Sequence, residues 1–210
     1  MKIKILYLVI FTTLISCNLK NSSESNSVEN SKNHIVQLNK KESESQNETI
    51  NYLGELITTI EIGVKAEKEQ LKDFSDGIIP WISIENPENE IDKLIDADKI
   101  VIENTEITLN IDYPLNKPAK LVLKSSAKGF TKKQLVLEIS KKYNEIYNEE
   151  EKTAKTKTIP IDKREGLINR NETDGKYGIW GHDIGDLDLS SIEVYRTKEG
   201  KIEIILGIES

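Results

Sequence analysis

The sequence predicts an α+β domain, an antiparallel sheet with a long helix and an N-terminal helix packed on one face. Three observations carry this. Residues 99 to 111 and 187 to 208 alternate apolar and polar side chains with period two, as half-buried strands do. Residues 131 to 147 repeat their apolar side chains every three or four positions, the period of an amphipathic helix. These blocks run as strands, then helix, then strands, the order expected when helices are segregated to one face of an antiparallel sheet.

Taken along the chain, Ile50, Leu53, Leu56, Ile57, Ile60 and Val64 recur at helical spacing and predict the N-terminal helix, although Thr58 to Ile62 would also suit a strand. Gly77 to Pro87 reads as an extended segment containing Trp81, Ile82 and Ile84, and a short acidic helix is expected from Glu88 to Ile95. Ile100 and Ile102, then Ile107, Leu109 and Ile111, mark strands separated by polar residues near Asn104. Pro114, Asn116 and Pro118 make a turn, after which Leu121 to Leu123 returns as the partner strand. Thr131 followed three residues later by Gln134 is a capping-box pattern, and Leu135, Ile139, Tyr143, Ile146 and Tyr147 line one helix face. Ile192 and Val194, a turn at Glu199-Gly200, and Ile202, Ile204, Leu206 and Ile208 predict an antiparallel hairpin. Leu187 and Leu189 have the opposite parity to Ile192 and Val194, so a bulge is expected near Ser190-Ser191. No internal repeat is visible.

Composition excludes several function classes. The chain has 210 residues, 29 basic and 36 acidic, for a net charge of −7. Binding nucleic-acid phosphates needs a concentrated surplus of Lys and Arg, so no nucleic-acid partner is expected. A single cysteine rules out an internal disulfide, a Cys-rich zinc site and a CxxC redox pair within one chain.

The N-terminus speaks to location. Lys2 and Lys4 precede an apolar stretch, Ile5 to Ile15, interrupted only by Tyr7, Thr12 and Thr13. A bilayer span takes roughly 20 apolar residues, whereas this length suits a signal-peptide core. The stretch ends in Leu14-Ile15-Ser16-Cys17, which resembles the lipobox of bacterial lipoproteins. That resemblance implies cleavage before Cys17, a diacylglycerol on its sulfur and a lasting membrane anchor. An ordinary secretory signal, or a buried hydrophobic N-terminal segment, with an incidental Cys17 is the plainer alternative. Residues 1 to 16 are thus read as signal, 17 to 46 as lipidated cysteine and tether, and 47 to 210 as one domain.

The tether is rich in Ser, Asn, Glu and Lys and is expected to be disordered, with a short helix around Ile35, Val36 and Leu38 as the alternative. Loss of Lys2 and Lys4 takes the 29 basic residues to 27 and the net charge to −9. Lys20, Lys32, Lys40 and Lys41 balance Glu24, Glu29, Glu42 and Glu44 within the tether, so the negative charge falls on the domain. An acidic domain is repelled by anionic lipid, leaving the acyl group as the membrane contact. No acidic run follows Cys17 of the kind that resembles a surface-export signal, which favours the periplasmic face of the outer membrane in a Gram-negative cell.

The candidate functional site lies between Arg164 and Asp188. Five of eleven glycines, Gly166, Gly175, Gly178, Gly181 and Gly185, fall there among Asn169, Arg170, Asn171, Thr173, Asp174, Tyr177, Trp180, His182, Asp183 and Asp186. Such a loop can line a cleft. Equally, Asp174-Gly175 can be a turn, with Tyr177, Ile179 and Trp180 plugging the open end of the sheet. The run Asn169 to Asp183, containing Tyr177-Gly178-Ile179-Trp180-Gly181-His182-Asp183, together with Gly129-Phe130-Thr131 and Tyr143 to Glu150, resembles a family of uncharacterised proteins over residues 75 to 210. The resemblance implies one folded domain and a special loop, and transfers no chemistry.

His182 stands out by elimination, because His34 is the only other histidine and lies in the tether. A histidine base would have to be His182, with Asp183 orienting it and Arg170 holding an anionic group. A hydrogen-bonded structural His-Asp pair is the bland alternative. Tyr177, Trp180, Asn169, Asp186 and Glu150 are the binding candidates. Asp183, Asp186 and Asp188, with Glu149 and Glu150, also suggest an oxygen-rich cation site, although the spacing matches no EF-hand. Glu149, Glu150 and Glu151 are unfavourable near a helix C-terminus and are expected to be solvated or paired with Lys152, Lys155 or Arg164. Glycines at every third position form neither GxGxxG nor a P-loop, so no cofactor is assigned. The leading functional reading is a lipid-anchored envelope protein with an acidic ligand- or protein-binding module. The rivals are an envelope enzyme using His182 and Asp183, hydrolase-like or metal-assisted, and an immunity-type lipoprotein acting through its acidic face.

Overall fold

A computed structural model of the chain describes residues 36–37, 40–41, 53–125, 128–164 and 169–210. The predicted signal and Cys17 lie outside the described residues, as do Ile35 and Leu38 of the alternative tether helix, although Val36, Gln37, Lys40 and Lys41 are helical. Ten strands and one long helix follow: β1 Glu55–Glu61, β2 Val64–Lys65, β3 Ile78–Ile79, β4 Ile82–Ser83, β5 Ile100–Ile102, β6 Glu106–Ile111, β7 Ala119–Lys124, β8 Phe130–Thr131, α1 Lys132–Thr153, β9 Asp188–Arg196 and β10 Ile202–Glu209.

The main sheet has the order β1-β9-β10-β6-β7, with β4 also paired to β9. The C-terminal hairpin forms as its alternation predicts, and its bulge falls where the parity changes. Ser191 faces Gly207 while Leu189 faces Ile208, leaving Ser190 as the additional residue. The β6–β7 hairpin likewise pairs Ile107 with Leu123 and Ile111 with Ala119. The fold is α+β, but the sheet is mixed rather than antiparallel, because β10 runs parallel to β6. That pairing joins strands far apart in sequence, and period-two alternation carries no information about strand direction. It places Leu109, Ile204 and Val194 in one row across three strands, each at most 3% exposed.

Where the N-terminal helix is predicted, Glu55–Glu61 form a strand, the alternative open at Thr58 to Ile62, and Ile50 lies outside the described residues. β1 lies at the sheet edge and pairs antiparallel with β9 from Glu55 opposite Arg196 to Glu61 opposite Ser191. The β-branched run Ile57 to Ile60 favours extended backbone, and an irregularity between Leu56 and Thr58 shifts the parity. Leu56 and Ile57 are exposed, whereas Ile60, Ile62 and Val64 are buried at spacing two, so the apparent helical period mixed both faces of an edge strand. The acidic helix at Glu88 to Ile95 is replaced by two 3₁₀ turns, Pro87–Asn89 and Ile91–Lys93. Ile91 and Leu94, three residues apart, are its buried apolar anchors, the repeat of a 3₁₀ turn rather than of an α-helix.

α1 packs its predicted face, Leu135, Ile139, Tyr143, Ile146 and Tyr147, together with Val136, into the core shared with the sheet. Its start carries the predicted capping box. The Gln134 amide donates to Thr131 Oγ1 at 3.2 Å, and the Thr131 amide donates to Gln134 Oε1 at 3.0 Å. Lys132 is buried in the first turn and donates to the Glu61 carbonyl at 2.8 Å, tying α1 to the end of β1. Burial lowers the Lys132 pKa from its ordinary value. Among the described residues no helix is long and apolar enough to cross a membrane. Replacing Thr131 by Ala removes the side-chain cap of α1 and is expected to lower the unfolding free energy by about 1 kcal/mol, measured by denaturant titration.

Candidate functional site

The segment after α1 is built around the Glu150 side chain. Glu150 sits in the last turn of the helix and is fully buried. Its Oε1 accepts the Thr173 hydroxyl and the Gly175 amide, both at 2.7 Å. Its Oε2 accepts the amides of Tyr177 at 2.7 Å and Gly178 at 3.1 Å. Four donors thus converge on one carboxylate, three of them consecutive or near-consecutive backbone N–H groups. Burial pushes the Glu150 pKa up, but the hydrogen bonds from Thr173, Tyr177, Gly175 and Gly178 outweigh it and hold the carboxyl below the ordinary glutamate value.

The glycines serve this geometry. A Cβ on Gly175 would lie 2.7 Å from the Glu150 carboxylate and 2.8 Å from the Glu150 carbonyl oxygen. Gly178 has φ +66, a backbone conformation that favours glycine, and so turns its amide toward Glu150. The opposite side of the same backbone pairs with the β6–β7 turn. The Asn116 amide donates to the Gly178 carbonyl at 3.0 Å, and the Lys117 amide donates to that of Tyr177 at 2.9 Å. Leu115 bridges to Ile179, which with Trp180 is buried and closes this end of the core.

The remaining polar residues of the loop are anchors. Asp174 Oδ1 accepts the amides of Lys155 at 2.9 Å and Thr156 at 2.7 Å, chiefly the latter lowering its pKa. Asn171 Oδ1 accepts the Ile159 amide at 2.7 Å. Thr153 Oγ1 accepts the Lys176 amide at 2.9 Å. At the acidic helix end the expected solvation holds for Glu151, which is exposed, and largely for Glu149, which lies 3.8 Å from Lys176. Glu150 departs from it, captured by the loop, and Arg164 turns to Asp183 rather than to the helix end.

The catalytic candidates lie side by side on the other flank. His182 is 8% exposed, its carbonyl accepts the Tyr147 hydroxyl at 3.0 Å, and its ring lies 5.5 Å from that of Tyr113 and 6.2 Å from that of Trp180. The Asp183 carboxylate receives Arg164 through two bonds, Nη1 to Oδ2 at 2.7 Å and Nη2 to Oδ1 at 3.0 Å. It also caps the 3₁₀ turn Ile184–Asp186, while Asp186 reciprocates by accepting the Asp183 amide at 2.8 Å. Asp183 therefore anchors an arginine and a turn. Arg170 is 5% exposed, with its guanidinium carbon 5.3 Å from the Tyr147 ring centroid and Nη1 3.7 Å from Asp183 Oδ1. Asn169 and Asp186 are exposed and Tyr177 is half-buried. Among the described residues no three His, Cys, Asp or Glu side chains gather as a metal site would require, so Asp183, Asp186, Asp188, Glu149 and Glu150 do not form the suggested cation site.

Two contributors were not among the expected site residues. Tyr147 reads as core from its helical period yet supplies both the hydroxyl to His182 and the face beneath Arg170. Lys41, assigned to the tether, places Nζ 2.8 Å from Glu172 Oε2, 3.2 Å from Asn116 Oδ1 and 5.7 Å from the Trp180 ring centroid. Contacts to the domain thus reach back past residue 46, which no local pattern signals. No family model, curated protein or solved structure matches the chain.

Two outcomes test the Glu150 anchor. Gly175→Ala is expected to destabilise the fold by about 1–3 kcal/mol, because the methyl meets the buried carboxylate and the backbone of Glu150. Glu150→Gln is expected to cost about 2 kcal/mol at neutral pH, the scale of a hydrogen bond to a charged group. Since the folded state depresses the Glu150 pKa, its stabilisation is complete above the unfolded value and is lost as pH falls through the lower, folded one. Denaturant titrations across acid pH are therefore expected to show wild type and Glu150→Gln converging as pH falls.

Proposed function

We propose that this protein is a lipid-anchored component of the bacterial cell envelope whose acidic domain is a binding module. One observation carries the location: Lys2 and Lys4, the apolar stretch Ile5 to Ile15, and Leu14-Ile15-Ser16-Cys17 coincide at the offsets of a lipoprotein signal. The mature chain is then held by acyl groups on Cys17, and its net charge of −9 disfavours a second, direct contact with anionic lipid. Twenty-three residues, rich in Ser and Asn, separate Cys17 from Lys41. The coil expected of such a composition would span about 25 Å, enough to hold the domain clear of the headgroups on the periplasmic side.

The binding reading draws support from how the loop uses its polar groups. Glu150, Thr173, Asn171, Asp174 and Asp183 are engaged in holding backbone or partner side chains, which is the chemistry of a rigid presented loop rather than of a general base and nucleophile. Rigid loops on a packed scaffold are well suited to recognition, because little conformational entropy is lost on binding.

Expression in a bacterial host with radioactive palmitate tests the anchor. Wild type is expected to label and to fractionate with membranes, while Cys17→Ala is expected to lose the label and become soluble. Unchanged labelling of Cys17→Ala would overturn the lipoprotein reading.

A further inference from the structure

Among the described residues of the loop, Arg170 is the side chain whose buried donors the fold leaves unmatched. It is 5% exposed, yet its Nε and Nη2 are buried without a hydrogen-bond partner among the described residues. Buried donors of a charged group left unmatched carry an uncompensated desolvation penalty. Its other contacts are specific: Nη1 faces Asp183 Oδ1 at 3.7 Å, the Tyr147 ring lies beneath the guanidinium at 5.3 Å, and its backbone amide donates to the Gly181 carbonyl at 3.1 Å. The side chain is therefore held in place by its surroundings rather than left to seek water.

The two unmatched atoms are not an arbitrary pair. In a planar guanidinium, Nε–H and Nη2–H point in parallel from the same edge and match the two oxygens of a carboxylate. Charge favours the same occupant. Asp183 is shared between two arginines, and its closer, bidentate bonds go to Arg164 at 2.7 and 3.0 Å. Arg170 thus holds a positive charge that the long contact to Asp183 only partly compensates. Tyr147 adds an aromatic face but no anion, since burial raises its phenol pKa and keeps it protonated.

We propose that the Nε–Nη2 edge of Arg170 is a binding site for a single carboxylate group, belonging to a small carboxylic acid or to the C-terminus of a peptide. Both atoms are covered in the present conformation, so the smallest carboxylates are expected to bind first. Asp183 and Tyr147 act as positioning residues, fixing the other edge and one face of the guanidinium. The proposal rests on the reading of the loop as the recognition element of the domain. Its test reads Arg170 itself, so it can fail without affecting lipidation, and the anchor can fail without affecting it.

The test is a titration of the full-length, nitrogen-15-labelled chain, followed at the arginine Nε–H resonances. The chain has three arginines, Arg164, Arg170 and Arg196, and correlations from each side chain to its own backbone assign their Nε–H signals in the wild-type spectrum. Sodium acetate, replacing sodium chloride at constant ionic strength, is expected to shift or split the Arg170 Nε–H signal saturably in the millimolar range. Arg170→Lys, which keeps the charge and loses the fork, is expected to weaken acetate binding at least tenfold, as judged by backbone amide shifts around Gly181. If that variant does not fold, the wild-type titration decides alone. A tripeptide with a free C-terminus and its amidated form separate the two sources: a response to the free acid but not the amide extends the site to peptide termini, and a response to acetate alone restricts it to small acids. Absence of a saturable change at Arg170 with both acetate and the free peptide would overturn the proposal, as would an equal response when chloride is varied against an inert anion.

Discussion

The burial of one carboxylate, that of Glu150, organises the half of the molecule that distinguishes it. An ionised carboxylate removed from water is costly unless charge-assisted hydrogen bonds replace its hydration. Here the replacement comes from Thr173, Gly175, Tyr177 and Gly178. Three backbone amides can converge on two oxygens only if the chain wraps tightly, which requires the absence of a Cβ at Gly175 and the positive φ of Gly178. A negative charge that would be unfavourable at a solvated helix end becomes the internal ligand of a loop. The helix C-terminus and the loop then act as one unit.

That unit is joined to the sheet through the same few residues. The backbone that gives its amides to Glu150 gives its carbonyls to Asn116 and Lys117 in the β6–β7 turn. Ile179 and Trp180 follow directly and enter the core, so the polar clasp and the apolar plug are two sides of one segment. On the far side Arg164, Asp183 and the cap at Asp186 close the loop before β9 begins. His182 lies between these two anchors, its backbone fastened to Tyr147 of α1. Arg170 is buried within this arrangement, against the Tyr147 ring and near Asp183.

The helix, the β6–β7 hairpin and the C-terminal hairpin were legible because each is decided by neighbours within about one turn or one pleat. The capping box of Thr131 and Gln134, the face Leu135 to Tyr147 and even the additional residue at Ser190 follow from local spacing. β1 was not legible. At a sheet edge one face is only partly covered, so Leu56 and Ile57 stay exposed and blur the period of the buried Ile60, Ile62 and Val64. Nor was the direction of β10 against β6, because parallel pairing is a relation between distant segments and leaves no trace in either strand taken alone. In the site, the glycine-rich loop announced itself by composition, but the partner of each polar group did not.

The sequence by itself determined the lipobox-like N-terminus that predicts the anchor, the acidic charge, the long helix and the position of the special loop. Each of these is a property of contiguous residues, readable from spacing and composition. Tertiary structure decided that Glu150 is an internal hydrogen-bond acceptor, that Asp183 serves Arg164, and that Arg170 is buried with one edge unmatched. Those outcomes depend on which segments meet across intervening chain, 19 positions apart for Arg164 and Asp183 and 25 for Glu150 and Gly175. A carboxylate or a guanidinium has the same intrinsic chemistry wherever it stands in a sequence, and only the donors, acceptors and water that surround it in the fold determine its role.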